Sequence, residues 1–334
     1  MTEDEKLKSQ AEAEAKTNAE VEKRRLELEA EERAQMRIIA EKRIRLLVVC
    51  SSAVLLASII IGGLIYLSAQ KTGAKGGPAA QAQADLGNAP TKFLLPGGVE
   101  LAMVKIKAGM FLMGSPSGEK GRFENEDEHR VTISKPFLIG KYEVTQGQWQ
   151  AVMGNNPSRF KGGDRPVESV SWDDAKKFCN RLNVLYAGKL PKGYCFDLPT
   201  EAQWEYACRA GTNTALNSGR DLTSEEGTCS NLDEVGWYGE NSGETTHAVG
   251  RKRPNAWGIY DMHGNVWEWC RDWYGDYNGD ATDPTGPVSG SRRVGRGGSW
   301  ILNAKFCRSA VRGLSDPGGR GGNLGFRLAL VPVK

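Results

Sequence analysis

Hydrophobic and polar positions divide the chain into three regimes. Residues 1–45 are almost all Glu, Lys, Arg, Ala and Gln, with no glycine, proline or aromatic residue. Good helix formers with opposite charges at helical spacing, such as Glu20 and Arg24, predict an exposed helix. Val21, Leu26, Leu28, Met36, Ile38 and Ile39 do not hold a heptad, so a solvated helix or weak coiled coil is expected. Residues 46–68, LLVVCSSAVLLASIIIGGLIYLS, carry no charge. At about 1.5 Å per residue such a helix crosses a hydrocarbon core of about 30 Å. Arg37, Lys42, Arg43 and Arg45 lie just before it. The positive-inside rule then keeps the N-terminus cytoplasmic and exports everything after Ser68, as a single-pass anchor. The charged stretch ahead of the span is too long for a cleaved signal peptide. Residues 69–92 are Gly-, Ala- and Gln-rich without apolar period, which predicts a flexible linker.

From residue 93 to 334 the pattern is that of one globular domain. Short apolar runs, LAMVKIKAGMFLMG and RVTISKPFLIGKYEV, predict strands. Three helices are marked by their ends. SWDDAKKFCNRLNVLYAG has Ser171 as N-cap, Asp173 and Asp174 in its first turn and Gly188 as its stop. Its apolar face, Ala175, Phe178, Cys179, Leu182 and Tyr186, turns Cys179 inward. PTEAQWEYACRAG pairs Thr200 with Gln203 in a capping box and ends at Gly211. A shorter helix runs from Thr145 to Gly154. Beyond residue 212 little regular periodicity survives, so loops there are functional or held by metal, disulfide or side-chain networks.

Composition narrows the class. The 334 residues are 39% hydrophobic with net charge +3, and the basic residues are scattered, so no nucleic-acid partner is expected. Forty-one glycines imply turn-rich structure. Six of seven cysteines lie beyond residue 170, and no CxxC pair suggests structural zinc. Those six allow fifteen disulfide connectivities. Three histidines without an H-x3-H spacing argue against a histidine-rich iron site.

Candidate chemistry concentrates in YDMHGNVWEW. Asp261, Gly264, Val266 and Glu268 fall at i, i+3, i+5 and i+7, two carboxylates flanking carbonyls in a glycine-containing turn. Such a set suits Ca²⁺, which takes six to eight hard oxygens. The alternative is that Glu268 is a buried carboxylate paired with an arginine, Arg327 being the candidate. Trp267 and Trp269 read first as core. Cys307 stands alone in GGSWILNAKFCRSAVRG, either a lone nucleophile or half of a disulfide.

AGMFLMGS, KYEVTQGQWQAVMG, RPVESVSWDDAKKFCNRLN, LPTEAQWEYACRAG, NAWGIYDMHGNVWEWCRDW, RGGSW and NLGFR occur in the order and spacing of the sulfatase-modifying-factor family. The resemblance covers residues 97–332. That family includes the formylglycine-generating enzyme, which uses O₂ to oxidise a substrate cysteine. The resemblance implies a single α+β domain of low regular secondary structure, related to the C-type lectin fold. It implies calcium on the Asp261 and Glu268 side chains and the Gly264 and Val266 carbonyls. A second, weaker calcium site would begin at Asn231, its other ligands not recognisable. Trp267 and Ser299 match residues lining the family's oxygen pocket, and Trp300, Cys307 and Arg312 join them in the expected groove. A family enzyme bridges the position of Cys208 to one two residues after Cys307, which makes Cys208–Cys307 the favoured bridge.

The family's enzyme binds copper(I) through two cysteines, a soft-metal preference. Counted from Ser299, Leu302 and Cys307 fall on those two positions; aligned on RSAVR, the pair lies in a deletion, and on either count a single thiolate cannot form the site, so copper is not expected. The expectation is a binding or accessory module whose exported groove takes a protein or peptide ligand. Residues 1–45 are then free for a cytoplasmic partner. The alternatives are a formylglycine-generating oxidase acting on sulfatase-type proteins, and a structural envelope protein.

Overall fold

The structure, a computed structural model, describes residues 86, 87 and 89–333. The expected charged helix, the transmembrane helix and most of the linker lie outside the described residues. Among these, no helix is long and apolar enough to cross a membrane. The domain begins earlier than residue 93. Leu86 is fully buried in the core, and strand β1 (Lys92–Leu95) pairs antiparallel with β2 (Val99–Ile106).

The run from Leu101 to Gly114 breaks at Lys107–Ala108 into β2 and β3 (Gly109–Met113). The run from Arg130 divides into β4 (His129–Ile133) and β5 (Phe137–Gly140). β5 is buried at every position because it lies inside a five-stranded sheet with β6 (Tyr194–Asp197) and β14 (Ala329–Pro332). The sheet order is β1-β2-β5-β14-β6, so the first and last strands of the domain share one sheet.

Three helices form where their ends announce them. In α1 (Gln146–Met153), α2 (Trp172–Leu185) and α3 (Glu201–Arg209), Thr145, Ser171 and Thr200 each accept the N3 amide in a complete capping box. α1 closes on Gly154 in the left-handed region. α2 stops at Leu185, three residues before Gly188, because the Tyr186 amide caps onto Leu182 and Val184. Its buried face is Ala175, Phe178, Cys179 and Leu182, while Tyr186 lies outside the helix and packs at the core's margin. A single turn, α4, spans Ser230–Asp233.

After residue 212 the strands are short, as the weak periodicity implied. β7 (Gly236–Trp237) pairs in parallel with β8 (His263–Gly264). A four-stranded sheet has the order β12-β11-β9-β13, from β9 (Trp267–Trp273), β11 (Arg293–Arg296), β12 (Arg312–Ser315) and β13 (Leu324–Phe326). β10 (Ala281–Thr282) adds to β4 and β3. What holds this half is a set of buried ion pairs: Arg209 and Arg296 on Glu205, Arg312 on Glu201, and Arg308 on Glu119 and Glu126.

Candidate functional site

β9 is central to the four-stranded sheet, and its first residue, Trp267, is half-buried while Trp269 is fully buried. Two contiguous depressions of about 600 and 240 Å³ meet over the Trp267 indole, Gly313 and Leu314. Gly313 lets the ring lie close against β12: a Cβ there would lie 3.0 Å from Trp267 Cζ3, so the indole would have to shift. Phe123 and Phe306, ring centroids 5.5 Å apart, line the larger depression with Asn125, Val311 and Arg312. Asn323 and Leu324 line the smaller one. The result is a mainly apolar groove along β12, the edge strand, with polar groups at its rim.

Of the residues expected there, Trp267 and Arg312 line the groove. Ser299 is fully buried behind it, its Oγ accepting from Asn323 Nδ2 at 3.2 Å. Trp300 is held inside by a bond from its Nε1 to the Gly322 carbonyl, 2.9 Å. Arg312 is not a free charge: Nε and Nη2 meet the two Glu201 oxygens at 2.7 and 2.9 Å. Phe123, Phe306, Val311 and Leu314 were not singled out in the sequence. The available signal was a lone phenylalanine in the polar stretch GRFENEDEH.

Cys307 is fully buried beneath Gly298, whose missing Cβ would fall 2.6 Å from its Sγ. Burial pushes its thiol up to about 12, the neighbouring Cys229 adding to the rise and the Ser299 amide opposing it. It is not bonded to Cys208; all six described cysteines are free thiols. Cys208 Sγ instead faces Ser309 Oγ at 3.6 Å. His263 stands against both cysteines, its Nε2 4.0 Å from Cys208 Sγ. Its Nδ1 donates to the Cys307 carbonyl at 2.7 Å and its Nε2 accepts from the Asn217 amide at 3.0 Å. These partners fix the tautomer, and burial pushes the ring down to about 4, so His263 is a neutral structural residue. His129 and His247 are half-buried, the latter stacked on Trp237 at 3.7 Å.

The turn 261–268 folds around carboxylates. Arg327, the alternative partner weighed above, does hold Glu268, with Nη2 to Oε1 at 2.7 Å and Nε to Oε2 at 2.9 Å; Trp204 Nε1 donates to Oε2 at 2.6 Å. Asp261 Oδ2 accepts the Gly250 amide at 2.7 Å, while its buried Oδ1 has no partner. Glu143, which sequence reasoning did not single out, accepts from Val266 N and Asn265 Nδ2 at 3.1 and 2.6 Å. Burial and the nearby Asp261 and Glu268 raise Glu143 well above the carboxylate range; burial first, then Glu268, lifts Asp261 to about 6. Three carboxylates thus share one guanidinium, Arg327. At Asn231 the amide is committed, Nδ2 donating to the Asp221 carbonyl at 2.8 Å.

A profile for the sulfatase-modifying factor enzyme 1-like domain matches residues 97–331. The chain belongs to this family. Its sequence is 34% identical over 303 residues to the formylglycine-generating enzyme of Thermomonospora curvata, covering 71% of this chain and 96% of that one. It is 34% identical over 245 residues to the chaperone protein LppX of Paenibacillus barcinonensis, 60% of this chain and 82% of the relative. Of the mouse formylglycine-generating enzyme it spans only about half, 53%. Among solved structures, Treponema denticola variable protein 1 superimposes with a TM-score of 0.64 at 37% identity, covering 72% of this chain and 98% of the other. The family's fold, mixed α/β and C-type-lectin-like, is the fold described above.

Proposed function

We propose that this family member is an accessory module that binds an extended peptide or protein segment in the Trp267 groove without oxidising it. The observation that carries the reading is Cys307. A thiol that is fully buried and pushed up to about 12 is a poor nucleophile and a poor metal ligand. One such thiol beside Leu302 does not fit a two-coordinate copper(I) site. The groove keeps an aromatic floor, flanking phenylalanines and a polar rim, the features of a recognition surface. In this reading residues 46–68 anchor the chain, residues 1–45 face the cytoplasm, and the domain is exported.

The oxidase alternative draws on the 34% identity with the Thermomonospora curvata enzyme over nearly its whole length. One assay separates the two. The chain is given copper(I), O₂, a thiol and a Cys-x-Pro-x-Arg peptide, and the aldehyde is sought by mass spectrometry. Aldehyde that vanishes in Cys307→Ser overturns the accessory reading. Peptide binding without aldehyde, weakened in Trp267→Ala, supports it.

Calcium at Asp261, Glu268 and the Gly264 and Val266 carbonyls is part of the proposal. The partnerless buried Asp261 Oδ1 and the excess of carboxylates over guanidinium fit a hard cation there. Glu268 would share its oxygens with Arg327 and Trp204. A chelator should lower the melting temperature, because a ligand bound only to the native state stabilises it. An unchanged melting temperature ends this part of the reading.

A further inference from the structure

The margin of the domain formed by its first strand leaves apolar side chains in solvent. Leu94, on the edge strand β1, is 69% exposed, and Val184 and Leu185, the last two residues of α2, are 78% and 41% exposed. Tyr186 joins the two elements. Its ring meets Phe93 edge-on with centroids 5.2 Å apart, and its hydroxyl donates to the Leu94 carbonyl at 2.7 Å. Phe93 and Leu95 point into the core, so Leu94 stands on the outer face of the strand.

Charge around the end of α2 has one sign. Residues 175–196 hold Lys176, Lys177, Arg181, Lys189 and Lys192 and no Asp or Glu. Among the described residues, only Lys176 of these is paired with a carboxylate, that of Asp197. Arg181 caps α1, donating to the Val152 carbonyl at 3.1 Å. Lys177, Lys189 and Lys192 are exposed. The helix dipole does not account for the last two, which lie beyond α2, while the last turn of α2 itself has no basic residue. The acids of the helix, Asp173 and Asp174, stand at its other end. Exposed aliphatic side chains flanked by lysines, with acids kept away, match a surface that is at once apolar and anionic. The headgroup boundary of a bilayer containing acidic lipid is such a surface.

We infer that the end of α2 and the loop 186–192 dock on a bilayer surface that contains anionic lipid. Val184 and Leu185 enter at headgroup depth, and Lys189 and Lys192 face the lipid phosphates. The inference rests on the reading of residues 46–68 as an anchor. Only residues 69–85 separate that segment from Leu86, so the domain meets its own bilayer at an effective concentration on the order of millimolar. Under that condition a patch too small to hold a free protein on a membrane is enough. The Trp267 groove plays no part in it.

The test uses the full chain reconstituted in phosphatidylcholine vesicles, with or without phosphatidylserine, that carry a trace of diazirine-bearing phosphatidylcholine. After illumination, lipid adducts are mapped by peptide mass spectrometry. With phosphatidylserine present, adducts on residues 182–192 should exceed those on the exposed loop 275–287 at least fivefold, and they should fall when phosphatidylserine is left out. Val184→Ser combined with Lys189→Glu and Lys192→Glu changes exposed side chains only, and should abolish the excess without moving the melting temperature. No excess over loop 275–287, or an excess indifferent to both phosphatidylserine and the variant, overturns the inference. Cross-links through 182–192 between two copies, in place of lipid adducts, also overturn it and assign the patch to a second copy of the chain. Resistance to alkaline carbonate extraction reads the anchor separately. An extractable chain that still gives the adducts retires the anchor and keeps the patch; a resistant chain without them retires the patch alone.

Discussion

The Arg327 guanidinium grips the Glu268 carboxylate by both oxygens, at 2.7 and 2.9 Å, and both side chains are fully buried. Its other N–H groups tie the Gly140 and Tyr260 carbonyls, so one side chain joins β5, the 260–261 turn, β9 and the end of β13. Removing one partner of such a pair costs about 3–5 kcal/mol because the other charge stays buried. Arg327→Met should lie at the upper end, since it strands Glu143 and Asp261 as well. Glu268→Gln, which keeps the shape, should cost less. Urea denaturation of the two variants checks the order.

Gly264 has no room for a side chain. It sits at φ 80° in β8, and a Cβ there would fall 1.9 Å from the Trp237 carbonyl oxygen. That oxygen accepts the Asn265 amide at 2.7 Å, so it cannot retreat without breaking the turn. Gly264→Ala should destabilise by about 3 kcal/mol or more. Gly318→Ala, open on all sides, should change little. Thermal melts of the pair make the comparison.

Cys208 and Ser309 are 101 residues apart and in contact at 3.6 Å. Ser309→Cys should therefore give a bridge with Cys208 under oxidising conditions. Closing a loop of about 100 residues is worth at most about 4.7 kcal/mol in the chain-entropy account. A non-reducing peptide map should show 208–309, and the melting temperature should rise only when oxidised. A bridge to Cys307 instead would contradict the geometry.

Much of this was legible in local sequence. The N-cap at Ser171 and the capping box at Thr200 needed only residues within one turn, and the inward turn of Cys179 needed one helical period. The Arg327–Glu268 pair could be raised as an alternative because an isolated carboxylate among tryptophans demands a partner. Distance in sequence hid the rest. Glu143 meets Val266 across 123 positions, and Phe123 meets Phe306 with no pattern to announce it. The favoured Cys208–Cys307 bridge is absent: Cys307 turns under Gly298, and Cys208 faces Ser309, the position at which the resemblance puts the family's bridging partner and at which this chain has no cysteine. Ser299 and Trp300 were placed in the groove by resemblance, but their bonds to Asn323 and Gly322 turn them inward.

Asp272 gives the fold a pH dependence of definite sign. Its carboxyl lies near 3.8 when exposed and about 7 when folded, so the native state holds the proton more tightly. The stability it contributes is complete below about pH 4 and is lost as the pH rises through 7. Asp272→Asn keeps the acceptor for the Glu201 amide but cannot ionise. Wild type should therefore lose a few kcal/mol relative to this variant between about pH 5 and pH 8. Asp261 and Glu143 act in the same direction, and His263, held down to about 4, acts oppositely, but all three are common to both proteins. The difference between the two stability curves, taken with chelator present, thus isolates Asp272. Parallel curves would mean that the carboxyl ionises freely in the folded protein.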